Sequence, residues 1–431
     1  MHTKTLSGGL ALLVIALGLG SAGCSGSSGG GGAASPGTTV ALTDAPSSDL
    51  SALRVDITAL EIRAASGATH SLLPGPLLGQ DLLRLRRVSK LLNQLVLPAG
   101  RYDQITFTYQ NAVAYDRLGN ALTVSPPAGA VSQALALSLP AGGAYLEVDV
   151  RVDDSLSNVV LGAGGSLRFD PVLKAEVDPP GATPEVEDFS AVVRSVSARG
   201  LEVALGGGRL AVELEANALV VSGGQSQSAA AAGFDLRALV AAGQRVEVRG
   251  RYDVSVGIVR ARELTVEDGQ NFGPRVRGVV VGLAPDQVTL RVTDGKESGL
   301  TVGSQQTFSY GANTNFAFDD APPAPASSAN LALGAELQLA PANAVVREVR
   351  FRDTRLEGTV TARSGNQLTI DVQSVERVDV ALVPGFANPV VVTLDGSAPS
   401  FAQPGARVSL DGHFLRGGAD FLGQAATLEL E

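Results

Sequence analysis

The sequence Gly358-Thr-Val-Thr-Ala-Arg-Ser-Gly-Asn-Gln-Leu-Thr-Ile370 decides the fold of the C-terminal half, because two earlier stretches repeat its pattern. The aligned copies are Ala191-Val-Val-Arg-Ser-Val-Ser-Ala-Arg-Gly-Leu-Glu-Val203 and Gly278-Val-Val-Val-Gly-Leu-Ala-Pro-Asp-Gln-Val-Thr-Leu290. In each copy, apolar residues recur on both sides of a polar turn. This pattern predicts a β-hairpin with one buried face.

Two more shared strands follow the hairpin in each copy. The first set is Gly243–Val248, Gly334–Leu339 and Gly405–Leu410, and the second is Ala261–Val266, Val346–Phe351 and Ala426–Leu430. Each copy is long enough for a small closed barrel of five or six strands, which leaves no sheet edge exposed. We therefore predict three β modules at residues 185–268, 275–353 and 354–431, arranged like beads on a string with short contacts between neighbours.

The residues before the repeats, 38–178, predict a β-sandwich. Leu53, Val55 and Ile57 alternate with polar residues, and the apolar positions then change parity, which predicts a β-bulge near Ala59. Residues 81–97 fit either a short helix or two edge strands, and Leu167–Val177 is expected to be one final strand. The fold class predicted for the whole chain is all-β.

Five motifs in order connect residues 38–178 to a known family. They are Val40-Ala-Leu-Thr-Asp-Ala-Pro46, Leu53–Ile62, Asp81-Leu-Leu83, Pro98-Ala-Gly-Arg-Tyr-Asp-Gln-Ile105 and Leu167-Arg-Phe-Asp-Pro-Val-Leu-Lys174. This span resembles domain-of-unknown-function family 4382, which implies an extracytoplasmic β-sandwich without an established activity. The three repeats resemble domain-of-unknown-function family 5666, whose repeats begin with a similar hairpin.

The N-terminus predicts a secretory signal over residues 1–24. Lys4 precedes the apolar run Leu10–Leu19, and Ala22-Gly23 lead into Cys24, the only cysteine of the chain. Residues 25–37 are a Gly/Ser-rich tether. This order resembles the bacterial lipoprotein signal. The resemblance implies that cleavage leaves Cys24 at the new N-terminus, that Cys24 carries a lipid, and that this lipid anchors the protein to the membrane.

Two residues near the cysteine bear on the type of signal and on the membrane that the protein reaches. Ser21 stands where the lipoprotein pattern has Leu, so an ordinary cleavable signal with an incidental cysteine is the alternative. Ser25 rather than Asp follows the cysteine, and under the enteric-type sorting rule this implies the outer membrane. We expect a cell-envelope location, on the periplasmic face or at the cell surface.

Composition excludes several function classes. The net charge of −10 argues against nucleic acid, whose binding needs basic surfaces, and a single cysteine allows no intramolecular disulfide. His70 and His413 fall in different predicted domains, and no HExxH, P-loop, GxGxxG after a strand, or CxxC occurs. We therefore expect no enzyme, no cofactor, no catalytic residue and no metal site.

The leading functional hypothesis is a lipid-anchored, non-enzymatic, multidomain envelope protein with a structural or binding role. The alternative is a carbohydrate- or calcium-dependent adhesion protein that binds through the loops at residues 43–49 or 66–80. A cell-envelope polysaccharide or a protein is left open as the partner. An enzyme is the third hypothesis, and it requires a pocket in which His70 contacts a serine and an aspartate.

Overall fold

The computed structural model describes residues 37–431 except for gaps at 46, 48, 86–87, 223–224, 268–274, 296–297, 319–325, 343–344, 415–419 and 431. The signal peptide, Cys24 and nearly all of the tether lie outside the described residues. Among the described residues, no helix combines the length and apolar character that crossing a membrane requires.

Residues 38–177 form a sandwich of two sheets around one apolar core. Its strands are β1 (Thr38–Ala45), β2 (Leu50–Ala64), β3 (Thr69–Ser71), β4 (Leu77–Asp81), β5 (Lys90–Leu95), β6 (Gly100–Asp116), β7 (Ala121–Ser125), β8 (Gly129–Leu139), β9 (Tyr145–Arg151), β10 (Leu156–Val160), β11 (Ser166–Phe169) and β12 (Leu173–Val177). One sheet has the order β12-β9-β1-β5, and the eight-stranded sheet is built around β2 and β6.

The local sequence explains most of the sandwich. The pairing of β2 with β6 shifts register between Ile57 and Ala59, which confirms the predicted bulge. Residues 81–97 contain both a 3-10 helix (Leu82–Leu85) and the strand β5. The single strand expected at Leu167–Val177 is wrong: β11 and β12 belong to different sheets, because Pro171 between them cannot donate to a ladder.

Three barrels follow, and the predicted all-β class is confirmed. The first contains β13 (Glu185–Val196), β14 (Gly200–Leu205), β15 (Gly208–Ser222), β16 (Gln225–Ser228), β17 (Arg245–Asp253) and β18 (Ile258–Glu267). The second contains β19 (Val276–Ala284), β20 (Gln287–Asp294), β21 (Gln305–Ser309), β22 (Asn315–Phe318), β23 (Glu336–Ala342) and β24 (Val345–Phe351). The third contains β25 (Thr354–Ser364), β26 (Gln367–Val375), β27 (Val378–Asp379), β28 (Val390–Leu394), β29 (Arg407–Phe414), β30 (Asp420–Gly423) and β31 (Glu429–Leu430).

Helical elements are few and short. They are one α-helical turn, α1 (Val152–Ser155), and 3-10 helices at Leu236–Ala238, Ser328–Asn330, Val380–Leu382 and Ala425–Thr427 besides Leu82–Leu85. The 3-10 helix Ala425–Thr427 interrupts the strand expected at Ala426–Leu430, so that only β31 remains of it.

The three barrels share one strand order. Each barrel has five main strands when the short strands β16, β22, β27 and β31 are left out of the count. In this count the first strand pairs with the second and fourth, and the third pairs in parallel with the fifth. This is the order of an OB-fold barrel. The first ring is closed by β14 with β15 and the third by β25 with β29, whereas a single pair, Ser309 with Val345, closes the second.

The units are not independent beads. One apolar core runs through the second and third barrels, and another joins the first barrel to the sandwich. At the latter contact, the rings of Tyr145 and Tyr252 lie 4.7 Å apart, and the hydroxyl groups of Thr39 and Tyr252 are 2.9 Å apart. All described residues belong to one compact unit. The beads-on-a-string arrangement predicted from repeat spacing is therefore wrong, because apolar faces at the barrel ends are buried against neighbours.

Ion pairs complete the contact between the sandwich and the third barrel. Arg117 lies 2.7 Å from a carboxylate oxygen of Glu357, and it also donates to the Ser374 hydroxyl at 3.0 Å. Burial would raise the pKa of Glu357, but Arg117 and the Ser374 hydroxyl outweigh it and hold that pKa below its usual value. Glu357 is thus a charged partner that fixes the position of the barrel.

Candidate functional site

The first strands of the three barrels begin at a common place. Glu185 is the first residue of β13, while Arg277 and Arg355 are the second residues of β19 and β25. The residues paired with them on the fourth strands are Arg251, Gln338 and Asp411. Residues near the starts of the three first strands, at the end away from the first hairpin turn, therefore converge near the 3-10 helix of the sandwich.

A cavity of about 420 Å³ lies at this junction, and all four units contribute to it. Its charged lining consists of eight arginines and five carboxylates. The arginines are Arg84, Arg249, Arg251, Arg262, Arg277, Arg352, Arg355 and Arg377, and the carboxylates are Glu185, Glu336, Asp353, Glu376 and Asp411. The cavity thus has three more arginines than carboxyl groups, in a chain whose formal net charge is −10.

The carboxylates of the cavity hold arginines from neighbouring units. Arg84 of the sandwich lies 3.4 Å from Glu336 of the second barrel, and Arg249 of the first barrel lies 3.5 Å from Asp353, which precedes the third. Glu185 pairs with both Arg251 and Arg262 within the first barrel. Because a guanidinium group has five N–H donors, arginines that already pair with these carboxylates can still donate to further anionic oxygen.

A strained turn of the third barrel contacts the sandwich. Glu376 and Arg377, between β26 and β27, have φ values of 45° and 61°. Hairpins with two such residues usually use Asn-Gly, so this turn costs about 1–3 kcal/mol for each residue. The conformation lets Glu376 accept the backbone N–H of Arg355 at 2.6 Å, and it lets Arg377 donate to the backbone carbonyl of Leu83.

The same turn carries a carboxyl group that titrates near neutrality. Burial raises the pKa of Glu376 to about 8, and the nearby Glu336 carboxylate adds to the rise, while Arg377 and Arg84 oppose it. Protonation of Glu376 would leave the cavity with an even larger positive excess. The charge of the cavity therefore depends on pH.

Two acids of the family motifs face Arg377 from the sandwich. Asp81 accepts the backbone N–H groups of Leu53 and Leu83, each at 3.2 Å. Burial raises the pKa of Asp44 to about 9, with Arg377 opposing the rise and Asp149 adding to it, and burial likewise raises the pKa of Asp81. Asp44 and Asp81 thus lie at the junction of the sandwich with the third barrel.

The structure separates the other residues considered from the sequence. The His70 ring lies 6.1 Å from that of Tyr102 in the sandwich, and His413 of the third barrel lies 3.0 Å from Asp353. Within the loops expected to bind calcium or sugar, Asp44 is buried at the junction. Lipidation of Cys24 is not tested, because that residue is outside the described chain.

A group of three carboxylates was missed by sequence reasoning. Glu147 on β9 lies directly opposite Glu176 on β12, and Asp178 follows, with their oxygen atoms within 4.8 Å of one another. Burial raises the pKa of Glu147 to about 7, and Asp178 adds to the rise. Lys174 pairs with Glu176 at 2.7 Å, which offsets part of this negative charge.

Comparison with known families decides the classification. The family described as Domain of unknown function (DUF4382) matches residues 37–321, about two thirds of the chain. The chain belongs to this family. The match extends beyond the sandwich, through the first barrel and into the second, so the DUF4382 region is larger than the 38–178 span that carries the motifs. The shared core of the sandwich and the first barrel accounts for this.

Other comparisons add little for this DUF4382 protein. No curated protein matches it. A solved structure described as drosophila Unr CSD456 is 11% identical and covers 58% of this chain and 99% of its own, at a TM-score of 0.14. A likeness at that TM-score carries no argument, so the barrel assignment rests on strand pairing alone.

The buried carboxyl groups predict how stability changes with pH. Because the folded pKa values of Asp44 and Glu376 lie above their unfolded values, the folded chain holds protons that the unfolded chain has lost. The free energy of unfolding should therefore fall as pH rises from about 4 to 9, by at most about 1.4 kcal/mol per pH unit for each proton. Urea denaturation at pH 5.5 and 8.5 measures this loss.

The matched variants are Asp44→Asn, which mimics the protonated carboxyl, and Asp420→Asn at an exposed position. The loss of stability between pH 5.5 and 8.5 should be smaller in Asp44→Asn and unchanged in Asp420→Asn. An equal loss in Asp44→Asn and the unmodified protein would show that Asp44 is not the buried proton carrier.

Proposed function

We propose that this protein is a lipid-anchored, non-enzymatic binding protein of the bacterial cell envelope that holds an anionic ligand in the cavity between its four units. The observation that carries the proposal is the excess of arginine over carboxylate in a cavity of about 420 Å³. Its size is within the roughly 300–1,000 Å³ that ligand pockets occupy.

The physical basis is the cost of burying charge. A guanidinium group removed from water needs negative partners, and planar guanidinium groups bind carboxylates through two parallel hydrogen bonds. A guanidinium group has five N–H donors, so an arginine that already pairs with a carboxylate can still bind a further anionic oxygen. A bound anion would contact several units at once, since the arginines come from the sandwich and from every barrel.

The envelope location is proposed from the N-terminal sequence. The apolar run Leu10–Leu19 and the Ala22-Gly23-Cys24 junction support a lipid on Cys24, and Ser25 supports the outer membrane. We also propose the unit boundaries 38–178, 185–268, 275–353 and 354–431, with the three barrels as copies of a module of the type found in domain-of-unknown-function family 5666. Their common strand order supports this relationship.

Citrate is a suitable first probe for the cavity, because it is a small trianion. Titration calorimetry of the full-length protein at constant ionic strength should detect citrate binding, and Arg251→Gln should weaken it about 10-fold or more, since a hydrogen bond to a charged group contributes about 1.5–3 kcal/mol. Arg251 is half-exposed, so its replacement leaves the fold intact.

The control is Arg209→Gln, which removes an exposed arginine of the same barrel that does not line the cavity. Arg209→Gln should bind citrate as tightly as the unmodified protein. Absence of citrate binding, or equal affinities in Arg251→Gln and Arg209→Gln, would contradict an anion site in this cavity.

The lipid anchor has its own test. In the bacterial host, the unmodified protein should sediment with membranes, and mass spectrometry should find an acylated N-terminal peptide beginning at Cys24. Cys24→Ser should be released in soluble form, because each buried methylene of an acyl chain contributes about 0.8 kcal/mol to membrane binding. Ser28→Ala, in the tether, should remain in the membrane fraction.

An unacylated mature peptide that begins at Ser25 or later would contradict the anchor. Equal release of Cys24→Ser and the unmodified protein would contradict it as well.

A further inference from the structure

A second cavity of about 460 Å³ adjoins the first, between the sandwich and the first two barrels. It adds three cationic side chains, Arg54, Lys90 and Arg275, and three carboxylates, Asp81, Glu247 and Asp294. Arg84 and Arg277 line both cavities. The end of the loop at residues 66–80 also reaches it, through Pro74, Gly79 and Gln80.

Arg84 lies at the boundary that the two cavities share. One of its terminal nitrogens lies 3.4 Å from Glu336 of the first cavity, and the other lies 3.9 Å from Asp294 of the second. Burial would lower the pKa of Arg84, but the carboxylates of Glu336, Asp294 and Asp81 outweigh it and raise that pKa. One fixed guanidinium group is therefore available to oxygen atoms on both sides.

Arg277 is the second shared residue. Its Nε donates to the side-chain oxygen of Gln338 at 2.9 Å, and Gln338 lines the second cavity only. Arg277 is half-buried, and so is Lys90 farther along the second cavity. Cationic groups thus continue from Arg251 in the first cavity, past Arg84 and Arg277, to Lys90 in the second.

We propose that one extended ligand occupies both cavities and that it is an acidic oligosaccharide with carboxylates on successive sugars. This inference rests on the proposed anion-binding function and specifies its ligand class. Each cavity alone is within the size range of a ligand pocket, so a single sugar fills one and leaves the other empty.

The mixed lining distinguishes an acidic sugar from other polyanions. Arginine and lysine only donate hydrogen bonds, whereas ionised Asp and Glu only accept them. A uronate sugar offers carboxylate oxygens to the first group and hydroxyl hydrogens to the second. A polyphosphate chain only accepts, so the cavity carboxylates would repel it.

Nucleic acid fits the lining poorly. Single-stranded nucleic acids bind by stacking bases on aromatic side chains. Among the described residues that line the two cavities, Phe189 is the only aromatic one, and it is 7% exposed. The ligand is therefore recognised by charge and hydroxyl groups rather than by stacking.

Calorimetry with galacturonate and α-1,4-linked trigalacturonate tests the proposal on the full-length protein. Trigalacturonate should bind at least about 10-fold more tightly than galacturonate, because it reaches charges in both cavities. Lys90→Gln should weaken trigalacturonate binding several-fold and leave citrate and galacturonate unchanged. Arg251→Gln should weaken all three probes. Retained citrate binding in Lys90→Gln shows that this variant is folded.

Two further probes complete the comparison: maltotriose, which is an uncharged trisaccharide, and tripolyphosphate, which is a polyanion without sugar hydroxyl groups. Both should bind more weakly than trigalacturonate. Equal affinity for galacturonate and trigalacturonate, with citrate still bound, would overturn the extended ligand but leave the anion site standing. Tighter binding of tripolyphosphate or maltotriose would overturn the acidic-sugar class. Loss of citrate binding itself would instead overturn the proposed function.

Discussion

Guanidinium groups buried between four β units are the constraint on which the arrangement depends. Each needs a negative or carbonyl partner once water is excluded, and the partners come mainly from neighbouring units. Arg84 reaches Glu336 and Asp294 of the second barrel, and Arg377 reaches the Leu83 carbonyl of the sandwich. Such pairs contribute modestly to net stability, because desolvation offsets their attraction, but breaking one leaves an isolated buried charge. They therefore fix where each unit sits.

Apolar packing and backbone strain act together with these charges. The core shared by the second and third barrels and the core that joins the first barrel to the sandwich supply the favourable burial. The strained backbone at Glu376 and Arg377 lowers the free energy of unfolding, and apolar burial offsets this cost. The strained conformation directs two charged side chains into the junction. The arginines that line the first cavity connect this architecture with the proposed function.

The sequence predicts individual elements better than their assembly. Alternation fixes the hairpins around residues 198–200, 285–287 and 365–367, and the change of parity near Ala59 locates a bulge that the β2–β6 register confirms. The cavity could not be predicted, since Arg84, Arg277 and Arg355 are far apart in sequence and meet only through packing. One sequence signal could have indicated it. Arginines recur near the starts of the first strands or on the fourth strands of the repeats, although a strand end exposed to solvent has no structural requirement for arginine. The motif acids Asp44 and Asp81 lie near Arg377, about 300 residues further along the chain, so this neighbour could not be predicted from local sequence.

Hydrogen–deuterium exchange of the full-length protein, with and without citrate, tests most directly the claim that one anion is held by all four units. The account predicts that citrate slows exchange in four segments together: the 3-10 helix Leu82–Leu85 and the starts of β13, β19 and β25. In Arg251→Gln, citrate should slow exchange in none of them. Slower exchange confined to one unit, or none at these four segments, would contradict it.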